Sequence, residues 1–235
     1  MGLGGTQKGR NMFYKWTVLG LILTTAAFAA NKTEPAKEFQ GMPLVFSEDF
    51  EKGAERWGPT DPAAWKVAEE NGNHAYSLFG ESKYEPAVRS PKNISLIKDL
   101  NVTDFVLEAK LKQTGREYGH RDLCVFFGHN DPKHFYYAHI ATKSDEHANS
   151  IFLVNDAPRV SIAKERTAGT QWTEGYHTVR IVRKVNSGLI QVFFDDMSKP
   201  IMMAEDKTFT TGTIGFGSFD DVGNFDEIRI WARKK

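Results

Sequence analysis

Residues 120–159, HRDLCVFFGHNDPKHFYYAHIATKSDEHANSIFLVNDAPR, hold five of the seven histidines and interleave them with Tyr, Arg, Asp and Asn. A His or Tyr of near-neutral pKa can remove a proton next to a carbonyl while a guanidinium or a metal steadies the enolate. That is the chemistry of a lyase, and the same base serves a hydrolase. Without reacting, these groups can hold a sugar. Aromatic rings lie against pyranose faces, and Arg, Asn and carboxylates bond hydroxyl or uronate groups. His120, Asp122, Tyr137 and His139 are the candidates for acid–base work. Arg121, Tyr137, His139, His147, Asn149, Asn155 and Arg159 are the candidate sugar contacts, with Asp220 and Asp221 in a later loop. The same residues also suit plain structure: Asn155-Asp156 before Ala157-Pro158, and Asp220-Asp221 before Gly223, are ordinary turn sequences. No His-x-His or His-x-x-x-His pair places two metal ligands on one element. Cys124, the only cysteine, sits inside LCVFF and reads as a small buried hydrophobe.

The elements that must position these groups read as strands. DFVLEAKLK alternates Phe105, Leu107, Ala109 and Leu111 with Val106, Glu108, Lys110 and Lys112, the period of a half-buried strand. HTVRIVRK and LIQVFFDD repeat the pattern and flank Asn186-Ser187-Gly188, a hairpin turn. In FDEIRIWARK, Ile228 and Ile230 share a face. If LCVFFG and FYYAHIA pair through HNDPK, then Phe135, Tyr137 and His139 share one face, and His134 and Tyr136 the other. The register decides whether Arg121, or His120 and Asp122, join His139. DPAAWKVAEEN has room for one short helical turn. More than a dozen short strands with aromatics at 12% predict an all-β, two-sheet antiparallel sandwich.

Residues 1–29 read as a signal peptide: Lys8, Arg10 and Lys15 precede a short apolar run that ends in Ala27-Phe28-Ala29. The rival reading is an anchor helix. Residues 30–42 read as a polar tether and 43–235 as the sandwich domain. Removal of the leader leaves a net charge of about −3, which argues against a nucleic-acid partner. The expectation is an exported protein, periplasmic or extracellular, with no stable membrane insertion after cleavage.

The opening FSEDFEKGAERWGPTDPAAWKV resembles the entry strand of concanavalin A-like lectin and glucanase domains, and the close GTIGFGSFDDVGNFDEIRIWA resembles their exit. The two stretches bracket nearly the whole mature chain. Within that superfamily the chain is similar to exported bacterial proteins of laminin-G-like or 3-keto-disaccharide hydrolase-like type. The resemblance implies a jelly roll with glycans along the concave sheet. It also implies a structural Ca²⁺ held by Asp49, Glu51 and Asp226, with carbonyls near Gly53 completing the oxygen shell. The Glu-x-Asp-x-x-Glu strand of the glucanases is absent, so their mechanism does not carry over. The expected function is binding of a polysaccharide or oligosaccharide. The alternative is a glycan lyase or glycoside hydrolase, metal-assisted or not, and a non-glycan adhesive domain is a third reading.

Overall fold

The computed structural model describes residues 1–5 and 34–234. The chain divides into two compact units, Met1–Asn31 and Lys32–Lys235, and the fold below is that of the second. Most of the signal-peptide reading lies outside the described residues. Among the described residues no helix is long and apolar enough to cross a membrane.

Strands are numbered in chain order. The larger sheet runs β1 (Glu38–Phe39), β2 (Met42–Glu48), β17 (Gly223–Lys234), β7 (Val102–Gln113), β13 (His177–Lys184), β14 (Leu189–Phe194), β15 (Met202–Glu205), β12 (Ala163–Arg166). Beside that path β5 (Asn73–Leu78) pairs with β17, and β4 (Trp65–Glu70) with β5. The smaller sheet runs β11 (Val160–Ser161), β10 (Ser150–Asn155), β9 (His134–Ala141), β8 (Asp122–Asp131), β16 (Thr213–Ser218), β6 (Asn93–Ile97), β3 (Trp57–Pro59). These are ten and seven strands, all antiparallel. Among the described residues the one helical turn, Pro62–Ala64, is capped by the Asp61 carboxylate.

Alternation explains the packing. On β7, Phe105, Leu107, Ala109 and Leu111 enter the core between the sheets, opposite Leu123, Val125 and Phe127 of β8. Burying each large apolar side chain is worth about 1.5–3 kcal/mol. Glu108 points outward and meets its cross-strand partner Arg180 of β13. The β13–β14 hairpin closes through Gly188, whose φ of 82° suits glycine.

Both sheets are also apolar outside. Val106, Val182, Phe193 and Trp231 cover the larger one. Cys124, Phe126, Phe135, Tyr137, Phe152 and Val154 cover the smaller one. This second cluster is roofed by the segment 79–92, whose Tyr84 and Val88 pack on it. The roof is tied down where Ser82 N–H donates to Asn93 Oδ1 (2.9 Å) and Arg159 N–H to the Arg89 carbonyl (3.0 Å).

Candidate functional site

The candidate site lies at the Asp122 end of the outer face of the smaller sheet. Cys124 stands opposite His139 in the β8–β9 register, and Asp122 lies two residues before Cys124. The period of two therefore turns Asp122, Cys124, His139 and Tyr137 to one side. Arg121 and Leu123 turn to the other. This settles the open register in favour of Asp122.

Asp122 is fully buried. Its Oδ2 accepts from the Phe219 N–H (3.0 Å) and the Cys124 thiol (3.2 Å), and lies 3.2 Å from His139 Nε2. Burial works to raise the Asp122 carboxyl. The positive charge of His139 and these hydrogen bonds outweigh burial and hold it below the usual range. His139 Nδ1 donates to the His147 carbonyl (3.0 Å), which fixes the ring. Although Nε2 is near Asp122, the N–H direction misses the carboxylate, and neither His139 Nε2 nor Asp122 Oδ1 has a hydrogen-bond partner.

Around this pair the charge is acidic. Asp221 Oδ2 accepts from Tyr118 Oη (2.8 Å) and from the Asp122 N–H (2.9 Å). Burial, then the charge of Asp122, pushes the Asp221 carboxyl up to about 7. Asp220, exposed at the rim, is raised by the same two causes. Burial and Asp122 also push the Cys124 thiol up. Arg159 is the counterweight. Its guanidinium lies over the rings of Phe152 (4.5 Å) and Phe219 (4.3 Å) and donates to Tyr137 Oη (2.7 Å). Burial holds the Tyr137 phenol well above its ordinary value in spite of Arg159.

The sequence candidates divide. Asp122, Tyr137, His139 and Arg159 come together, with His147 at their edge through its carbonyl. His120 is exposed and pairs with Asp145 instead. Arg121 is buried elsewhere and donates to the Gln113 carbonyl (3.1 Å). Asn149, at φ 50°, accepts from Thr170 Oγ1 and donates to the Thr167 carbonyl, which is a loop-bracing role. Asn155 lies at the far end of β10, opposite His134. Arg159, His147, Phe219, Asp220 and Asn155 reach solvent, whereas Tyr137 and His139 are sealed. Residue-type reasoning missed Phe219, which nothing local marks. It also missed Cys124 as a polar partner, although the Asp-x-Cys spacing on a strand was the available signal.

The three acids expected to hold calcium are spread over separate contacts. Asp49 Oδ1 accepts the Glu51 N–H (3.3 Å), Glu51 Oε2 meets His74 Nδ1 (2.7 Å), and Asp226 Oδ2 accepts from Asn73 (3.0 Å). Among the described residues, three or more ligand atoms within 4.8 Å of one another occur only as Asp122–Cys124–His139 and Asp122–Asp220–Asp221. Asp49, Glu51 and Asp226 are not among these sets: Asp49 and Glu51 share the turn after β2, and Asp226 lies on β17.

No family model and no curated protein matches the sequence. Solved structures do match the fold. The carbohydrate-binding module CBM66 from Bacillus subtilis aligns with a TM-score of 0.53 at 15% identity, over 75% of this chain and 96% of that one. Domain 4 of AbnA, a GH43 extracellular arabinanase from Geobacillus stearothermophilus, in complex with arabinotriose, aligns at 0.52 and 11%, over 80% and 92%. The carbohydrate recognition domain of Emp47p aligns at 0.54 and 13%, over 83% and 99%. The chain is a two-sheet β-sandwich of the concanavalin A-like, jelly-roll type, as its end strands implied.

Proposed function

We propose that the protein is an exported glycan-binding domain that holds its ligand at the rim formed by Arg159, Phe219, Asp220 and His147. The observation that carries this reading is the fold match that takes in 96% of a carbohydrate-binding module and 75% of this chain. The rim adds suitable chemistry: a partly exposed ring, a guanidinium held between two rings, and an exposed carboxylate. Turnover is a poorer fit. A substrate would have to reach His139, which is 3% exposed and has Nδ1 committed to a carbonyl.

The test is retention of the purified protein on a panel of neutral and acidic polysaccharides, with glycan chain length followed in parallel. Retention without shortening supports binding, and Arg159→Ala or Phe219→Ala then weakens it about tenfold or more, about 1.4 kcal/mol. No retention on any glycan, or shortening of the chain, overturns it. Calcium between Asp49, Glu51 and Asp226 stays a separate proposal that rests on residue chemistry alone. Melting curves with calcium and with chelator decide it, since coincident curves remove the ion. The signal peptide is proposed on the leader sequence, and the mass of the mature protein checks cleavage near Ala29.

A further inference from the structure

We propose that Asp122, Cys124 and His139 form a binding site for a zinc-like transition-metal ion, set into the outer face of the smaller sheet. The proposal is independent of glycan binding and concerns a different set of atoms.

Strand pairing brings the three ligands together without any loop. Asp122 and Cys124 are two residues apart on β8, and His139 faces Cys124 from β9. One carboxylate oxygen, one sulfur and one ring nitrogen lie within 4.8 Å of one another. Asp122 Oδ2 is 3.2 Å from both Cys124 Sγ and His139 Nε2. A tetrahedral ion with legs of about 2.0 Å to N and O and about 2.3 Å to S has N–O and S–O edges of about 3.3–3.5 Å. The two edges that meet at Asp122 Oδ2 are thus close to those such an ion requires.

The polar groups left over point the same way. His139 Nε2 is sealed from solvent and has no hydrogen-bond partner. Its 3.2 Å approach to Asp122 Oδ2 lacks hydrogen-bond geometry. The opposite nitrogen donates to the His147 carbonyl, the outer contact that usually orients a metal-binding imidazole. Asp122 Oδ1 is also buried and unpartnered. Nitrogen and sulfur donors select a transition metal over calcium or magnesium. On binding, the Cys124 thiol gives up the proton it now directs at Asp122 Oδ2. The S–H bond breaks and a sulfur–metal bond forms with the same electron pair; the Nε2–H bond of His139 breaks likewise, freeing the nitrogen lone pair for the metal, and both protons leave to solvent. The metal keeps its oxidation state throughout. The rival occupant is a hard cation on the all-oxygen set Asp122–Asp220–Asp221, which shares Asp122.

The experiment uses the untagged full chain, unfolded with reductant and chelator and refolded with Co²⁺, because the site is closed in the folded protein. The expected result is one cobalt per folded chain with a sulfur-to-cobalt charge-transfer band and the visible spectrum of a tetrahedral ion, both abolished by equimolar zinc. Cys124→Ser removes the charge-transfer band, and His139→Asn weakens the visible bands, while circular dichroism reports that each variant is folded. If either variant fails to fold, the wild-type spectrum alone decides. A folded wild-type protein with no cobalt, or with cobalt but no sulfur band, overturns the proposal. Calcium that raises the melting temperature of wild type and of Cys124→Ser equally, with no sulfur band from cobalt, assigns the ion to the oxygen set and also overturns it.

Discussion

The two sheets each bury one histidine beside an aspartate, and the two pairs differ in everything except that. On the larger sheet, His177 is satisfied at both nitrogens. Nδ1 meets Asp195 Oδ2 (2.7 Å), and Nε2 accepts from the Thr173 N–H (2.9 Å). Its ring stacks on Phe194, and Asp195 is 52% exposed. On the smaller sheet, His139 has one nitrogen committed and one idle, and its aspartate is sealed. A buried polar group without a partner costs about 1–3 kcal/mol. The His177 pair lets water screen one of its members and carries no such cost, as suits a group that fastens a strand end. The His139 pair keeps both members from water and leaves one atom of each without a hydrogen bond.

The largest effect that would test this contrast is on Asp122. Asp122→Ala strands the Phe219 N–H, the Cys124 thiol and His139 together, and urea unfolding is expected to lose about 3–5 kcal/mol. Asp195→Ala is expected to cost under about 1 kcal/mol in the same assay, because that carboxylate is half in water. Equal losses would erase the distinction between the two pairs.

A third histidine supplies the intermediate effect. Burial against Phe135 pushes His129 down to about 4, and nearby Asp131 only partly opposes this. The unfolded chain takes up a proton below about 6.5 while the folded chain stays neutral until about 4. The contribution is therefore whole above pH 6.5 and is lost as pH falls toward 4, on the order of 2–3 kcal/mol. Denaturation curves between those limits should show the loss, and His129→Gln should flatten it. A pH slope unchanged in the variant would mean that another group supplies it.

Most of the sandwich could be read from alternation. Phe105, Leu107, Ala109 and Leu111 do share the inner face, and Phe135, Tyr137 and His139 do share the outer one, because the side-chain period of a strand is local. The turn at Asn186-Ser187-Gly188 and the helical turn after Asp61 were equally local. The site was only half visible. Nothing near residues 79–92 says that they will roof Tyr137, since that depends on Asn93 reaching Ser82 and on Arg89 reaching Arg159. Phe219 joins Arg159 from sixty residues away in sequence. RVSIAKE reads as one strand, yet it is two. β11 ends at Ser161 in the smaller sheet, and β12 begins at Ala163 in the larger.

That corner at Ile162 makes one stretch of backbone the last strand of both sheets. Neither edge can peel away without pulling on the other, since Ile162 N–H is itself bonded to the Ile151 carbonyl (2.9 Å). One border of each sheet is thus held by the same covalent strap. Their amide hydrogens should exchange with solvent as one cooperative unit, in a single opening event shared by the two layers of the sandwich.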